Sequence, residues 1–392
     1  MLPVAFHPGH GDRLAGLLPA ELLPLFDHRF VGSCVLFEEY VHRLAVRVVR
    51  DAGIESAARE PGTPGEIAAR AGLDAVRAPT AVGWLLATLV AQGHAVRGHD
   101  GRYAVPMSLP DPDLQEVADA QERHEPSALA SYRMAALAAE LYPSVLRGTA
   151  SGEATLFAPD RIGAWFEYFS NDNVIYAISN RIGAIAAERG LPADGGAVLE
   201  LGGGLGSGAE AFLQRLAETG RLFAIRSYRF TEVAPSFLRR GQRRLSGQFP
   251  GVPVAFTRLD MDRPFCEAGI EDGTFALVYG VNTLHVARDL EFTLAEIRRA
   301  LEPRGRLVLS ECVRPFPGRP VCIEFIFNLL EAFRAPRLVE PWRPNGGFLT
   351  PKQWTAALEA CGFRDVTIYP EVARIHEVYP SFVAAAIVGV RP

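Results

Sequence analysis

A glycine-rich segment in the second half of the chain has the residue types that suit close approach of a ligand to the backbone. The segment reads VLELGGGLGSG and has the form E-x-G-x-G-x-G, carried by Glu200, Gly202, Gly204 and Gly206. Glycine permits positive φ angles and leaves room beside the backbone. The dinucleotide pattern, with glycine at i, i+2 and i+5, fits only if Ala209 replaces its last glycine, so it is the weaker explanation. A turn with a purely structural role is the other alternative.

Two further residues could move a proton. We predict that His285 is a general base and that Glu311 faces it. An imidazole titrates near neutral pH, which suits removal of a proton from an acidified carbon or a hydroxyl group. A carboxylate opposite the ring would fix its tautomer and stabilise the imidazolium. The alternative is a histidine satisfied within the core and a glutamate that caps backbone amides.

These residues need a scaffold that brings distant parts of the chain together. From about residue 195 strands and helices alternate, which predicts a Rossmann-like, seven-stranded, mostly parallel α/β sheet with helices on both faces. The predicted strands are 197–201, 228–233, 253–259, 275–280, 306–313, 365–369 and 382–389, the last two forming an antiparallel edge pair. The first five end at polar side chains, namely Glu200, Glu232, Asp260, Asn282 with His285, and Glu311. Ligands bind at this edge of a parallel sheet, so we expect the site there.

The E-x-G-x-G-x-G form resembles motif I of the class I S-adenosylmethionine-dependent methyltransferases. Stretches at 228–245, 259–265, 275–311 and 346–363 follow in the order expected of that superfamily. Residues 165–392 look particularly like the C-methyltransferase domains of polyketide synthases, whose pattern after the fourth strand is N-x-L-H-A-T. That family uses a His–Glu pair, and His285 and Glu311 match its positions.

The resemblance implies S-adenosylmethionine as the cofactor and a role for each residue along the sheet edge. Gly202, Gly204 and Gly206 would approach its amino-acid and ribose parts, and Asn282 would join the cofactor site. Glu232 would accept both ribose hydroxyl protons. Asp260 would accept from the adenine amino group while Met261 packs on the ring, although a solvated loop acid is the alternative for Asp260. Glu200 would support the loop or contact the cofactor amino group, or simply cap the amides that follow it.

The first part of the chain is predicted to be a mainly helical, winged-helix-like domain. Residues 63–106 suggest helix, turn, helix and hairpin, with Asp100–Gly101 as the hairpin turn. The second helix, around 80–92, carries no charge, which favours packing or dimerisation over DNA binding. Residues 1–110 resemble the dimerisation domain of small-molecule O-methyltransferases, so we expect a homodimer.

Polar and apolar segments suggest three parts of the chain. They are a dimerisation domain at 1–110, a helical linker and pocket-lining segment at 111–190, and a cofactor-binding domain at 191–392. Two helices are expected across 161–190, broken near 171–173. An apolar helix is expected at 320–336, either packed on the sheet or lining the acceptor pocket.

Composition excludes several kinds of function. With 45 acidic and 40 basic residues, the net charge of −5 gives no drive toward nucleic acid or an anionic membrane. Lys352 is the sole lysine, so a P-loop is excluded and a Schiff-base enzyme is disfavoured. The five cysteines form no C-x-x-C pair, which argues against a disulfide framework or a metal site. Without an apolar run near ~20 residues or a signal-like start, we expect a cytoplasmic protein.

The sequence therefore predicts an S-adenosylmethionine-dependent methyltransferase of small-molecule or natural-product biosynthesis. Carbon methylation of a ketone- or thioester-flanked position is favoured, on a free or carrier-bound acceptor. An O-methyltransferase that uses the same base is the nearest alternative. A methyltransferase fold that guides a cyclisation without methyl transfer, and a DNA-binding regulator, are the others.

Overall fold

Helices form most of the first half of the chain. The computed structural model describes Leu14 and residues 16–392, so the start of the predicted N-terminal helical segment lies outside the described residues. The helices here are α1 (His28–Asp51), α2 (Ile54–Ala57), α3 (Pro64–Arg70), α4 (Ala78–Ala91), α5 (Leu114–His124), α6 (Leu129–Leu146), α7 (Gly152–Leu156), α8 (Ile162–Tyr168) and α9 (Val174–Gly190). The strands β1 (Val96–Arg97) and β2 (Tyr103–Ala104) form an antiparallel hairpin between α4 and α5.

Strands and helices alternate in the second half, as the sequence predicts. The strands are β3 (Gly196–Leu201), β4 (Ile225–Glu232), β5 (Val254–Arg258), β6 (Phe275–Val281), β7 (Leu301–Cys312), β8 (Arg364–Tyr369) and β9 (Ala384–Val390). The helices are α10 (Ser207–Glu218), α11 (Pro235–Gln248), α12 (Leu290–Ala300), α13 (Glu324–Phe327), α14 (Glu331–Arg334), α15 (Pro351–Ala360) and α16 (Val372–Val378).

The described residues divide into two compact units. The first consists of His28–Tyr168 together with Pro317–Ala335. The second consists of the described part of Pro8–Asp27, with Phe169–Phe316 and Pro336–Pro392. The predicted domain boundaries at residues 110 and 190, and the homodimer, stay predictions.

The predicted helix, turn, helix and hairpin are present in the first unit. Helix α3 starts at a capping box, because the Thr63 hydroxyl accepts the Glu66 N–H and the Glu66 carboxylate accepts the Thr63 N–H. Helix α4 places Trp84, Leu85 and Leu89 in the core. Its apolar face is therefore used for packing within this unit.

The predicted helix at 320–336 differs from the observed structure. Two short helices, α13 and α14, replace it, and both belong to the first unit. Phe325 stacks on Tyr142 with ring centroids 4.8 Å apart, and its carbonyl accepts the Tyr142 hydroxyl at 2.6 Å. The Trp84 indole N–H donates to the buried carboxylate of Glu324 at 3.0 Å. Glu324, which interrupts the apolar pattern, is thus a buried hydrogen-bond acceptor that fixes this segment on α4.

The second unit is built on the predicted seven-stranded sheet. Its order is β5-β4-β3-β6-β7-β9-β8. The strands from β5 to β7 run parallel, and β9 is antiparallel to both of its neighbours. The fold class predicted from the sequence is therefore confirmed. The strand order reverses at β3 and β6, so the carboxyl ends of these two strands are where a ligand of such a sheet binds.

Membrane insertion and metal binding, which the composition disfavours, can also be checked against the described structure. No helix of the described chain is long and apolar enough to cross a membrane. A search of Leu14 and residues 16–392 finds no group of three or more His, Cys, Asp or Glu side chains that could hold a metal ion. The five cysteines lie within the described part and are not paired as disulfides.

Replacement of Phe325 by alanine tests the packing of the 317–335 segment in the first unit. The ring is fully buried. Its removal leaves a cavity against Tyr142 and should lower the free energy of unfolding by about 3–5 kcal/mol. Equilibrium urea unfolding followed by tryptophan fluorescence measures this change. Met107→Ala is the control, because Met107 is 75% exposed. If Phe325→Ala lowers the free energy of unfolding no more than Met107→Ala does, the packing of Phe325 against Tyr142 is contradicted.

Candidate active site

The glycine turn after β3 is shaped by what lies on either side of its backbone. A Cβ on Gly203 would lie 2.3 Å from a ring carbon of Phe230, so no side chain fits there. Gly204 has φ +56°, a conformation that L side chains rarely adopt, and the nearest atom to a Cβ built there is 4.0 Å away. The turn ends at Gly206, which precedes the first residue of α10. Gly204 therefore leaves an open backbone cradle directly before a helix N-terminus.

Glu200 lies beneath this turn. Its side chain is buried, one carboxylate oxygen accepts the Tyr228 hydroxyl at 3.0 Å, and the carboxylate also accepts the N–H of Ala209. Burial raises the pKa of Glu200 to about 8, against the smaller opposing effect of the Tyr228 hydrogen bond. The carboxyl group thus connects β4 to the first turn of α10.

Glu232 ends β4 and is joined directly to the glycine turn. One carboxylate oxygen accepts the N–H of Gly204 at 3.0 Å, and the other accepts the N–H of Ala234 at 2.7 Å. The side chain is buried, and that burial raises the pKa of Glu232 above its ordinary value. A buried carboxylate therefore lies at the edge of the open cradle.

Asp260 and Met261 follow β5, beside the end of β4. Asp260 is exposed, and its carboxylate accepts the N–H of Asp262 at 3.1 Å. The carbonyl of Met261 accepts the Thr293 hydroxyl at 3.1 Å. Within the described chain, neither residue hydrogen-bonds to another predicted site residue, although both lie at the same edge of the sheet.

His285 and Glu311 are in direct contact. The imidazole Nδ1 lies 2.6 Å from a carboxylate oxygen of Glu311, and both side chains are buried, with 2% and 0% of their surfaces exposed. The other oxygen of Glu311 accepts the N–H groups of Thr283 at 3.1 Å and Leu284 at 2.8 Å. In the tautomer whose Nδ1–H donates to Glu311, Nε2 is the ring nitrogen that can accept a hydrogen bond.

Parallel pairing of β6 with β7 brings these two residues together. Val281, the last residue of β6, is paired with Ser310, so Glu311 lies beside the loop that follows β6. His285 sits in a single 3-10 turn at Leu284–Val286 in that loop. The contact between His285 and Glu311 follows from strand register, because a one-residue slip would move Glu311 to the opposite face of the sheet.

Asn282 connects the ends of these two strands. It has φ +47°, its N–H donates to the Ser310 carbonyl at 2.7 Å, and its side-chain oxygen accepts the Cys312 N–H at 2.8 Å. The hydroxyl of Tyr176 on α9 also hydrogen-bonds to the side chain of Asn282, and burial raises the pKa of Tyr176. Sequence reasoning did not name Tyr176, although it lies in the segment 111–190 that was predicted to line the pocket.

Two more residues beside His285 come from the loop that precedes α15, where sequence reasoning named no site residue. The side chain of Arg343 is fully buried, and its Nη2 donates to the carbonyl of His285 at 2.7 Å. The Phe348 ring packs edge-on against the imidazole, with centroids 4.8 Å apart. Neither residue lies in a periodic helix or strand pattern, so only the preference of arginine for hydrogen-bonded sites could have indicated Arg343.

Comparison with known protein families identifies a methyltransferase domain in the part of the chain that carries the site. Residues 199–307 match the family model of a methyltransferase domain. This range contains the glycine turn, Glu232 and His285. The match therefore includes most of the predicted site residues, while Glu311 lies just beyond it.

Curated relatives include polyketide synthases that are many times longer than this chain. Highly reducing polyketide synthase 2 of Gibberella zeae is 31% identical over 170 residues, which cover 42% of this chain and 6% of that protein. Reducing polyketide synthase Preu2 of Preussia isomera is 29% identical over 279 residues, which cover 67% of this chain and 11% of that protein. The chain thus spans only a small part of the length of these synthases.

A solved structure matches nearly the whole chain. The CurJ carbon methyltransferase is 22% identical, covers 97% of this chain and 98% of its own, and superposes with a TM-score of 0.76. At this identity the likeness concerns the fold, including the N-terminal helical region. This likeness in fold agrees with the match of residues 199–307 to a methyltransferase domain and with the open backbone at Gly204 beside the buried Glu232. Residues 199–307 therefore form a methyltransferase domain, the chain has the class I S-adenosylmethionine-dependent methyltransferase fold, and its curated relatives include polyketide synthases.

Proposed function

We propose that this protein methylates a carbon atom that is flanked by a ketone or thioester carbonyl. The single observation that carries the proposal is the buried hydrogen bond of 2.6 Å between His285 and Glu311. A hydrogen on such a carbon is acidified by the neighbouring carbonyl, so a positioned imidazole can remove it. The likeness in fold to a carbon methyltransferase supports carbon rather than oxygen as the acceptor atom.

The cofactor would be held along the edge formed by β3, β4 and β5. When bound, S-adenosylmethionine supplies an electrophilic methyl group on a sulfonium, which needs no acid to assist its departure. Gly204 would offer its backbone cradle, with Gly202 and Gly206 shaping the turn, and Glu232 would accept the ribose hydroxyl protons. Asp260 and Met261 are proposed for the adenine. Glu200 and Asn282 would hold this edge in place. Glu200 accepts the Tyr228 hydroxyl, and the Asn282 side chain accepts the Cys312 N–H.

The protein's own contribution to the reaction would be proton removal by a fixed base. Nε2 of His285 takes the proton, and the ionised Glu311 stabilises the imidazolium that results. The amides of Thr283 and Leu284 hold the carboxylate in place, so it does not reorient during proton transfer. Burial strengthens each of these interactions, because solvent screening is weak in the interior.

The acceptor class is proposed from the same chemistry and from the relatives. Polyketide synthases appear among the relatives, which supports an acyl thioester as the acceptor, either free or attached to a carrier. The thioester carbonyl would acidify the adjacent carbon. Neither nucleic acid nor membrane is part of the proposal.

Replacement of His285 tests the base. His285→Ala should lower kcat for methyl transfer by about 100- to 10,000-fold, the range typical for loss of a general base. Binding of S-adenosylhomocysteine should stay unchanged, because His285 lies on the acceptor side in this proposal. Product mass spectrometry measures the first effect and calorimetry the second.

His376→Ala is the matched control for this test. His376 belongs to the same unit, its Nδ1 lies 2.9 Å from the Pro380 carbonyl oxygen, and its ring packs edge-on against Phe316. The control should keep wild-type turnover. Full turnover in His285→Ala would show that this residue is not the base.

Replacement of Glu232 tests the cofactor edge. Glu232→Gln should weaken S-adenosylhomocysteine binding about 10-fold or more, because a hydrogen bond to a charged group contributes roughly 1.5–3 kcal/mol. Burial raises the pKa of Glu232, so protonation begins at a higher pH than for an exposed glutamate. Because the protonated acid is a poorer acceptor, wild-type affinity should fall as the pH is lowered, over a range that lies above the one in which an exposed glutamate titrates.

Calorimetric titrations across this pH range measure both effects. In Glu232→Gln the fall in affinity at low pH should disappear. The control is Glu267→Gln, which removes a carboxylate that is paired with Arg263 at the surface. A Glu232→Gln protein with the affinity and pH dependence of the wild type would exclude the proposed ribose contact.

A further inference from the structure

Arg343 is a buried cation whose hydrogen-bonding capacity is only partly used. Its side chain is 0% exposed, and arginine is almost never fully buried unless it is paired. Nη2 donates to the carbonyl of His285 at 2.7 Å. The buried Nε and Nη1 find no hydrogen-bond partner among the residues that the structure describes. Buried N–H groups of a charged side chain are costly to leave unbonded, so this site is suited to a further acceptor oxygen.

The nearby acids do not supply that acceptor. Glu311, Asp262 and Asp289 raise the pKa of Arg343, but burial is the larger effect and lowers that pKa to about 10. Glu311 already accepts His285 and two backbone amides. Asp289 is paired with Arg337, whose Nη1 lies 2.8 Å from its carboxylate. Arg343 thus stays protonated at neutral pH, close to negative charge but without a direct carboxylate partner in the described chain.

We propose that Arg343 binds the carbonyl oxygen of the acceptor next to the carbon that His285 deprotonates. This inference rests on the proposed function. In the proton-transfer step the C–H bond breaks and the proton passes to Nε2 of His285. The electron pair of that bond forms a C=C bond, and the carbonyl π pair moves onto oxygen to give an enolate. One of the unpaired N–H groups of Arg343, on Nε or Nη1, donates to this oxygen.

Charge balance supports this placement. Proton transfer creates an imidazolium and an enolate from two neutral groups. Glu311 offsets the imidazolium, and Arg343 would offset the enolate. The hydrogen bond from Arg343 to the carbonyl of His285 links the oxygen-binding group to the turn that carries the base. Donors fixed in advance where negative charge develops are an effective form of transition-state stabilisation.

The inference is tested with Arg343→Met and Arg343→Lys, with acetoacetyl-pantetheine as the acceptor probe. Loss of one donor group of this kind should lower kcat about 100- to 1,000-fold in Arg343→Met. The lysine variant keeps the charge without the planar donor set, so it should fall between the methionine variant and the wild type. The dissociation constant of S-adenosylhomocysteine, measured by calorimetry, should stay unchanged in both variants.

Arg337→Met is the matched control. Arg337 lies in the same loop, is about half exposed and pairs with Asp289 and Glu291 at the surface. Its replacement should leave kcat and KM near wild-type values. Added guanidinium ion should restore part of the activity of Arg343→Ala and none of the activity of His285→Ala. This chemical rescue separates oxygen binding from a merely structural role of the side chain.

Two outcomes would overturn the inference while the proposed function stands. One is an Arg343→Met enzyme with wild-type kcat and KM. The other is an Arg343→Ala enzyme that binds S-adenosylhomocysteine normally yet stays inactive in guanidinium. Failure of the proposed function is distinguishable, because the wild-type enzyme itself would then place no methyl group on carbon of the probe.

Discussion

The three hydrogen bonds accepted by Glu311 are the constraint on which the acceptor side of the site depends. One carboxylate oxygen accepts Nδ1 of His285, and the other accepts the amides of Thr283 and Leu284. A single buried acid therefore fixes both the imidazole and the backbone turn that carries it. The register of β6 against β7 puts Glu311 in reach of that turn, and Asn282 ties the same two strand ends together through Cys312. Loss of this register would separate His285 from Glu311.

The cofactor side of the edge is organised by a second buried acid. Glu232 accepts the N–H of Gly204, so the open part of the glycine turn and the carboxylate form one rigid feature. Glu200 connects the underside of that feature to Tyr228. Burial raises the pKa of both acids, that of Glu200 to about 8, so protonation of this edge begins at a higher pH than for exposed glutamates. The strand order reverses between β3 and β6. The methyl donor and the methyl acceptor would therefore meet at the carboxyl ends of these two strands.

The sequence predicted the sheet well because each strand leaves a local signal. Apolar runs bounded by turn residues predicted the seven strands, and the polar residues at their ends predicted the contact between His285 and Glu311. Contacts made by irregular segments left no such signal. Arg343, Phe348 and Tyr176 reach the site through tertiary packing alone. The segment 320–336 was expected to be one helix, but its buried Glu324 binds Trp84 within the first unit, a partner that local periodicity cannot reveal.

The central claim is that the His285–Glu311 pair removes a proton from carbon, and hydrogen exchange tests it without any methyl transfer. The wild-type enzyme with S-adenosylhomocysteine and a β-ketoacyl thioester would be placed in D2O. Proton NMR would follow deuterium entry at the carbon between the two carbonyl groups. The account predicts exchange well above the enzyme-free rate, and its loss in Glu311→Gln. Exchange at the enzyme-free rate, or exchange unaffected by Glu311→Gln, would contradict it.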